Sequence, residues 1–220
     1  MLRGRQQPSG RRDRSDDDHD HLAAAENSRE VPPDVRVAGT ETARTVRSMT
    51  EQQVYEVLES SPGFELRRYA PHVVAEVEIV GSFERAGNAA FRPLISYISG
   101  RNRSKTKVAM TAPVVQETLA DSNTHLVSFV MPDGSTTAAL PVPVDGQVSV
   151  HEVPEQLAAV ATFSGRWTEG SYNEHVAALR KDVAAAGLTA TGRPRYARFD
   201  PPWKPWFLRR NEVVLPVTRT

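Results

Sequence analysis

Residues 72–87 read HVVAEVEIVGSFERAG, and this stretch decides the fold because it joins a strand pattern directly to a helix start. Apolar residues occupy every second position from Val73 to Ile79, while Glu76 and Glu78 occupy the opposite face of the extended chain. Such a period of two predicts a β-strand that buries one face only. The fold therefore contains at least one sheet with a covered side and an uncovered side.

A helix is predicted immediately after this strand. Gly81 ends the strand, and Ser82 can cap a helix that reaches about Ser99. Gly100 stands where a helix C-terminal glycine is expected. Pro93 lies inside the helix, where it removes one amide hydrogen, so we expect a kink there.

Two neighbouring faces of this helix have different characters. The face that can pack on the sheet consists of Phe83, Ala90, Leu94 and Ile98. Phe91 and Ile95 lie on the adjacent face, next to Asn88 and Arg92.

The pattern repeats after 84 residues, and the repeat is the most informative feature of the organisation. The shift carries Tyr69 onto Val153, Gly81 onto Gly165 and Phe83 onto Trp167. Both halves, about 54–134 and 147–217, read strand, strand, helix, strand, strand. Either two small domains or one fused domain would follow, and we favour one domain at residues 51–220, since each half alone has a poor core.

The second half contains its own helix signal. Ser171 and Glu174 have the spacing of a capping box, and Gly187 closes the segment. The apolar stripe between them consists of Tyr172, Val176, Leu179 and Val183.

Residues 1–50 are expected to form a disordered N-terminal arm. They contain no Phe, Trp or Tyr, and they mix arginines with an acidic run at residues 16–18. Such a segment cannot bury enough apolar surface to offset the entropy lost on ordering.

Composition excludes several functions. Lys plus Arg and Asp plus Glu both number 27, so the zero net charge argues against nucleic acid or an anionic membrane as partner. The absence of Cys excludes disulfides and thiolate chemistry. No apolar run or secretory signal stands out, so cytoplasmic residence is expected. Common catalytic motifs are missing as well, which argues against an enzyme.

Three segments have compositions that are unusual for segments with a purely structural role. They are KVAMTAPV at residues 107–114, FVMP at residues 129–132 and DPPWKPWFLRRNEV at residues 200–213. Pro113 in a predicted strand, residues 107–117, fits only a sheet edge or a bulge, which suggests a strand beside a cleft. The last segment interleaves aromatic and cationic residues. It can serve as a wall for a flat anionic ligand, as a surface loop that caps the core, or as a PxxP motif for another protein.

In this order, and with the opening stretch from Tyr55 to Tyr69, these motifs resemble the SOUL haem-binding family from about Val54 to Val217. The resemblance implies an α+β fold, namely a distorted antiparallel β-barrel built from two pseudo-symmetric ββαββ halves with two helices packed outside. It also implies non-covalent binding of haem or a porphyrin by a non-catalytic carrier or buffer.

The resemblance assigns residues to the ligand groove. The family's helix positions correspond to Phe91 and Ile95, and its loop position to Lys204, with Trp206 in the same loop wall. We add Arg92 (or Arg85) as partner of the second propionate.

The chain departs from the family at two positions. Asn88 stands where some members carry arginine, and Arg68 stands where some animal members carry a proposed axial histidine. His72 is then the nearest substitute ligand for iron. We therefore expect binding through the macrocycle and propionates, without a strong axial bond.

Two other functions stay open. The two-fold architecture also resembles bacterial regulator domains that sense small effectors, which would need an acidic residue such as Glu76 or Glu152 deep in the central groove. A protein-interaction adaptor would use the 200–210 loop and the N-terminal arm, with a partner that the sequence does not name.

Overall fold

The structure is a computed structural model that describes residues 50–120 and 123–219. The predicted arm at residues 1–50 lies outside the described residues, apart from Thr50. Within the described part, no helix combines the length and the apolar character that crossing a membrane requires.

The described residues form twelve strands and two α-helices. In chain order they are β1 Glu51–Gln52, β2 Tyr55–Ser61, β3 Phe64–Tyr69, β4 His72–Val80, α1 Phe83–Ile98, β5 Thr111–Ala112, β6 Val114–Thr118, β7 Thr124–Val130, β8 Val148–Val153, β9 Gln156–Phe163, α2 Glu169–Ala185, β10 Leu188–Ala190, β11 Arg195–Arg198 and β12 Asn211–Arg219. A short 3-10 helix, Trp206–Leu208, precedes the last strand.

One large antiparallel sheet dominates the architecture. Its strands lie in the order β2-β3-β9-β12-β11-β6-β7-β4-β8, with β10 also paired to β12, while β1 and β5 form a separate parallel pair. The sheet curls into a half-barrel that is open between β2 and β8, and the two helices cover one of its faces. The predicted α+β class, with a distorted antiparallel barrel and two outer helices, is confirmed.

The two halves are related by an approximate two-fold axis between β6 and β11. The shift of 84 residues carries the bounds of β3 onto those of β8. When β3, β4, β6 and β7 of the first half are exchanged with β8, β9, β11 and β12 of the second, the order of the strands from β3 to β8 stays the same. Gly81 and Gly165 end equivalent strands with φ values of 151° and 155°, which L side chains rarely adopt. The repeat inferred from the sequence is therefore present in the fold.

Each helix covers its own half of the sheet. α1 packs on β4, β7 and β8, and its buried residues include the predicted set Phe83, Ala90, Leu94 and Ile98. α2 packs on β9, β10 and β12, and buries Tyr172, Leu179 and Val183. The predicted bounds of α1 are confirmed, and Gly100 follows it with φ of 102°.

Two local predictions were wrong. The N-cap of α2 is Thr168, which lies three residues before Ser171, the N-cap that the sequence suggested. The Thr168 side chain accepts a hydrogen bond from the Ser171 amide at 3.3 Å. The supposed strand at residues 107–117 is divided at Pro113, whose peptide bond with Ala112 is cis. β6 begins after Pro113 and lies inside the sheet, so the missing N–H falls outside the ladder and needs no edge position.

Candidate functional site

One edge of α1 is only partly covered by the sheet. The Phe91 side chain is 43% exposed, and its ring meets the ring of Phe129 on β7 at 5.8 Å between centroids, in an edge-on arrangement. Ile95, one turn further along the same edge, is half-buried against the core under α1. This edge is an apolar strip against which a flat ligand can lose water-exposed surface.

The second candidate segment follows β11, which lies two strands from β7 in the sheet. Phe129 pairs with Val114 on β6, and Val114 pairs with Arg198 at the end of β11. Neighbouring strands lie about 4.8 Å apart, so Phe129 and Arg198 are about 10 Å apart on one face of the sheet. Residues 200–210, called the aromatic loop below, follow directly after this strand. The strand that leads into the aromatic loop therefore lies two strands from the strand that carries Phe129.

Asp200 organises the aromatic loop. Its carboxylate accepts hydrogen bonds from Lys204 Nζ at 2.7 Å and from the Arg210 amide at 2.6 Å. Burial works to raise the pKa of Asp200, but these hydrogen bonds and the positive charge of Lys204 lower it below the ordinary value. Arg209 holds the loop from within, since its guanidinium donates to the backbone carbonyls of Pro202 and Lys204. The Lys204 ammonium is thereby held in a defined place and remains partly exposed.

The aromatic side chains of the loop are open to solvent. Trp203, Trp206 and Phe207 are 83%, 48% and 58% exposed. The guanidinium of Arg166 lies 5.4 Å from the centroid of the Trp206 ring, and Arg209 lies 4.3 Å from that of Trp167. The loop thus presents aromatic surface with cations beside it, as the sequence predicted. The alternative, in which its Trp residues cap the core, does not hold for Trp203, Trp206 or Phe207.

Arg198 is a feature that sequence reasoning missed. Its buried guanidinium donates to Gln116 Oε1 at 2.8 Å, while its Nε has no hydrogen-bond partner among the described residues. A Cβ on Gly87 of α1 would lie 2.2 Å from its Nη1, so glycine is needed for this close approach. Burial lowers the pKa of Arg198. No local pattern distinguishes Arg198 from the other arginines, since its position under α1 depends on the register of β11.

Arg92 lies away from the Phe91 edge. It lines a separate cavity of about 530 Å³ together with Pro93, Ser96 and the loop around residues 143–147. The lining of that cavity includes none of Phe91, Ile95, Lys204 and Trp206. The helical turn that places Phe91 beside Phe129 therefore points Arg92 toward a different surface.

His72 lies on the opposite face of the sheet from α1. The neighbouring Val73 is buried beneath α1, whereas His72 lines the concave interior of the half-barrel. Its ring nitrogens contact Gln53 Nε2 at 3.1 Å and the Ala70 carbonyl at 2.9 Å, and burial lowers its pKa. The structure therefore does not bring His72 together with Phe91 and Ile95, since they lie on opposite sides of the sheet. Among the described residues, no three His, Asp or Glu side chains gather into a possible metal site.

The concave interior forms a cavity with a volume of about 800 Å³. It takes its lining from every second residue of the central strands, for example Val74 and Glu76 on β4. Of the two acidic residues proposed for an effector-sensing groove, Glu76 lines this interior and Glu152 is exposed elsewhere.

Comparisons with known proteins agree with this architecture. The family model described as SOUL heme-binding protein matches residues 50–216. Heme-binding protein 1 of Xenopus tropicalis is 30% identical over 156 residues, which cover 68% of this chain and 81% of that protein. Among solved structures, the EcmrR C-terminal domain aligns with a TM-score of 0.53 and 13% identity, covering 76% of this chain and 99% of that one. EcmrR in a complex with DNA aligns with a TM-score of 0.56 and 15% identity, covering 70% and 57%. At these identities the two structures show a shared fold only.

Proposed function

This chain belongs to the SOUL heme-binding protein family, and on that premise we propose that it binds haem or a related tetrapyrrole reversibly on the α1 face. The protein acts as a carrier or buffer and catalyses no reaction. The observation that carries the proposal is the partly exposed Phe91 edge of α1 against Phe129, two strands from the strand that leads into the aromatic loop.

Each wall of this groove has a role. Phe91 and Ile95 cover one side of the macrocycle, and Trp206 covers another part of it, so that apolar surface is removed from water. Lys204, held in place by Asp200, pairs with one propionate. We assign the second propionate to Arg166 in preference to Arg92, because Arg166 is exposed and lies over the Trp206 ring.

Iron coordination by the protein is not required in this proposal. Arg68 occupies the position of the histidine that some relatives carry, and His72 lies on the other face of the sheet. The macrocycle and the propionates therefore supply the binding free energy. Haem, when bound, supplies a characteristic absorption spectrum that reports its occupancy and coordination.

A haem titration monitored at the Soret band tests the proposal. Phe91→Ala removes part of the apolar wall, so we expect about ten-fold weaker binding, which corresponds to about 1.4 kcal/mol. Val80→Ala is the matched control, since Val80 is exposed at the end of β4, and it should leave affinity unchanged. Lys204→Gln should weaken binding by about two- to five-fold, whereas Lys181→Gln on exposed α2 surface should not. No Soret shift at micromolar haem, or equal losses in Phe91→Ala and Val80→Ala, would contradict the site.

Metal-free protoporphyrin IX tests the coordination. Because no iron–protein bond is required, the affinity for the metal-free porphyrin should be within a few-fold of that for haem. For the same reason, His72→Ala should leave the Soret spectrum of bound haem unchanged. A requirement for iron, or a spectral change in His72→Ala, would show that the protein ligates the metal.

A further inference from the structure

The concave interior of the half-barrel differs in character from the α1 face. Its walls carry apolar side chains from several strands, including Val74, Val115, Val130 and Val214. Its volume of about 800 Å³ is within the range of small-molecule sites. Polar and charged residues line the rest of the cavity, and its apolar part forms a trough that can accept the body of an aliphatic or aromatic molecule.

Arg195 brings a positive charge into this trough. Its Nη2 donates to Gln156 Oε1, but its Nε is buried and has no hydrogen-bond partner among the described residues. It forms no ion pair with a described carboxylate closer than 4 Å, and burial lowers its pKa. Buried donors without an acceptor are rare in folded proteins, and Arg195 lines the cavity, so its guanidinium is suited to an acceptor on a ligand.

Two of the carboxylates that line the interior already have partners. Glu76 accepts from Ser128 Oγ at 2.7 Å, and Glu212 is paired with Arg67 at 3.0 Å and with Arg210 at 2.6 Å. Neither carboxylate therefore lacks a hydrogen-bond partner in the way that Arg195 Nε does.

Glu117 is the direct neighbour of Arg195. The two residues are cross-strand partners on β6 and β11, and Arg193 Nη1 lies 3.7 Å from the Glu117 carboxylate. Burial raises the pKa of Glu117, and the nearby Glu76 adds to the rise. Glu117 thus partly neutralises Arg195 without occupying its free donor.

We propose that the concave interior is a second ligand site, which binds a small amphipathic carboxylate with its anionic group on Arg195 and its apolar body along the valine-lined trough. This site is distinct from the tetrapyrrole site, since α1 and the interior lie on opposite faces of the sheet. An unpaired buried donor selects an acceptor, whereas a cationic ligand would leave Arg195 Nε unsatisfied.

Isothermal titration of the full chain with decanoate and with decylammonium tests the proposal, because these ligands share an apolar chain and differ in the sign of charge. We expect decanoate to bind at least ten-fold more tightly. Arg195→Gln should weaken decanoate binding about ten-fold, and Arg195→Lys, which retains the charge, should weaken it less. Arg103→Gln is the matched control, since Arg103 is exposed and lies outside the lining of this cavity, and it should have little effect.

Glu117→Gln supplies a test in the opposite direction that leaves Arg195 in place. Removing the opposing carboxylate should strengthen decanoate binding several-fold. Far-UV circular dichroism confirms that each variant is folded. Tighter binding of decylammonium, or unchanged decanoate affinity in folded Arg195→Gln, would overturn the proposal.

The two sites are distinguished by testing the variant of each site with the ligand of the other site. Phe91→Ala should not change decanoate binding, and Arg195→Gln should not change haem binding. Loss of both ligands in either folded variant would show a single shared site and would contradict a distinct interior site. Failure of haem binding alone would leave the interior site standing.

Discussion

Two neighbouring arginines on β3 show how burial alters what an ion pair contributes. Arg67 and Glu212 are 2% and 1% exposed, and their side chains meet at 3.0 Å. Arg68 meets Glu56 at 2.8 Å, but both side chains are about half exposed or more. Water screens the second pair and is excluded from the first, so removing one partner leaves an uncompensated buried charge only in the first.

This contrast leads to a paired prediction. Arg67→Met should lower the free energy of unfolding by about 3 kcal/mol, because Glu212 stays buried with Arg210 as its only remaining cation among the described residues. Arg68→Met should lower it by less than about 1 kcal/mol. Urea unfolding of both variants measures the difference. Similar losses in the two variants would mean that burial is not the deciding factor.

At the scale of elements, the two helices begin by different means. Thr168 caps α2 with its side chain, whereas Ser82 precedes α1 without a side-chain capping bond. Both helices have the ordinary backbone bond to the residue before the helix, from the Ala86 amide to the Ser82 carbonyl at 3.0 Å and from the Tyr172 amide to the Thr168 carbonyl at 3.1 Å. The N-terminal amides of α2 thus depend on a particular side chain, and those of α1 do not.

The capping difference predicts unequal effects of alanine. Thr168→Ala should destabilise the protein by about 1 kcal/mol, since it leaves a helix amide without its acceptor. Ser82→Ala should have a clearly smaller effect. Thermal or urea unfolding checks both values. A larger loss in Ser82→Ala would show that the cap at α2 is not formed as described.

At the scale of the whole molecule, the halves exchange strands. β3 of the first half pairs with β9 of the second, and β4 pairs with β8. Each half alone would therefore have unpaired strand edges that are paired in the complete sheet. Because of this interchange, we expect the sheet to fold as one cooperative unit, although the sequence repeats within it.

A separated half should accordingly fail to fold. We expect a chain of residues 54–134 to give the poorly dispersed amide spectrum of an unfolded protein, because β3 and β4 lose their partners on β9 and β8. Residues 51–220 should give a dispersed spectrum and serve as the control. A dispersed spectrum from the half chain would show that the repeat is an independent domain.

Much of the architecture follows from local patterns in the sequence. The period of two in residues 73–79 and the helix signals after Gly81 predict which residues of β4 and α1 are buried. The shift of 84 residues predicts the two-fold relation of the halves. The 3.6-residue period also places Phe91 and Ile95 on a surface edge of α1. These features are readable because a strand or helix must turn its apolar side to the core wherever it is placed.

The tertiary structure alone decides which residues meet across long separations. Register places Glu117 beside Arg195 and Arg198 beneath Gly87, and it brings Arg67 to Glu212 across 145 positions. It also places His72, which the sequence suggested as an iron ligand, on the face of the sheet opposite α1. Periodicity along one segment states which side is apolar, but carries no information about its partner strand. That choice depends on the complementarity of whole surfaces, which exists only once the sheet has closed around both halves.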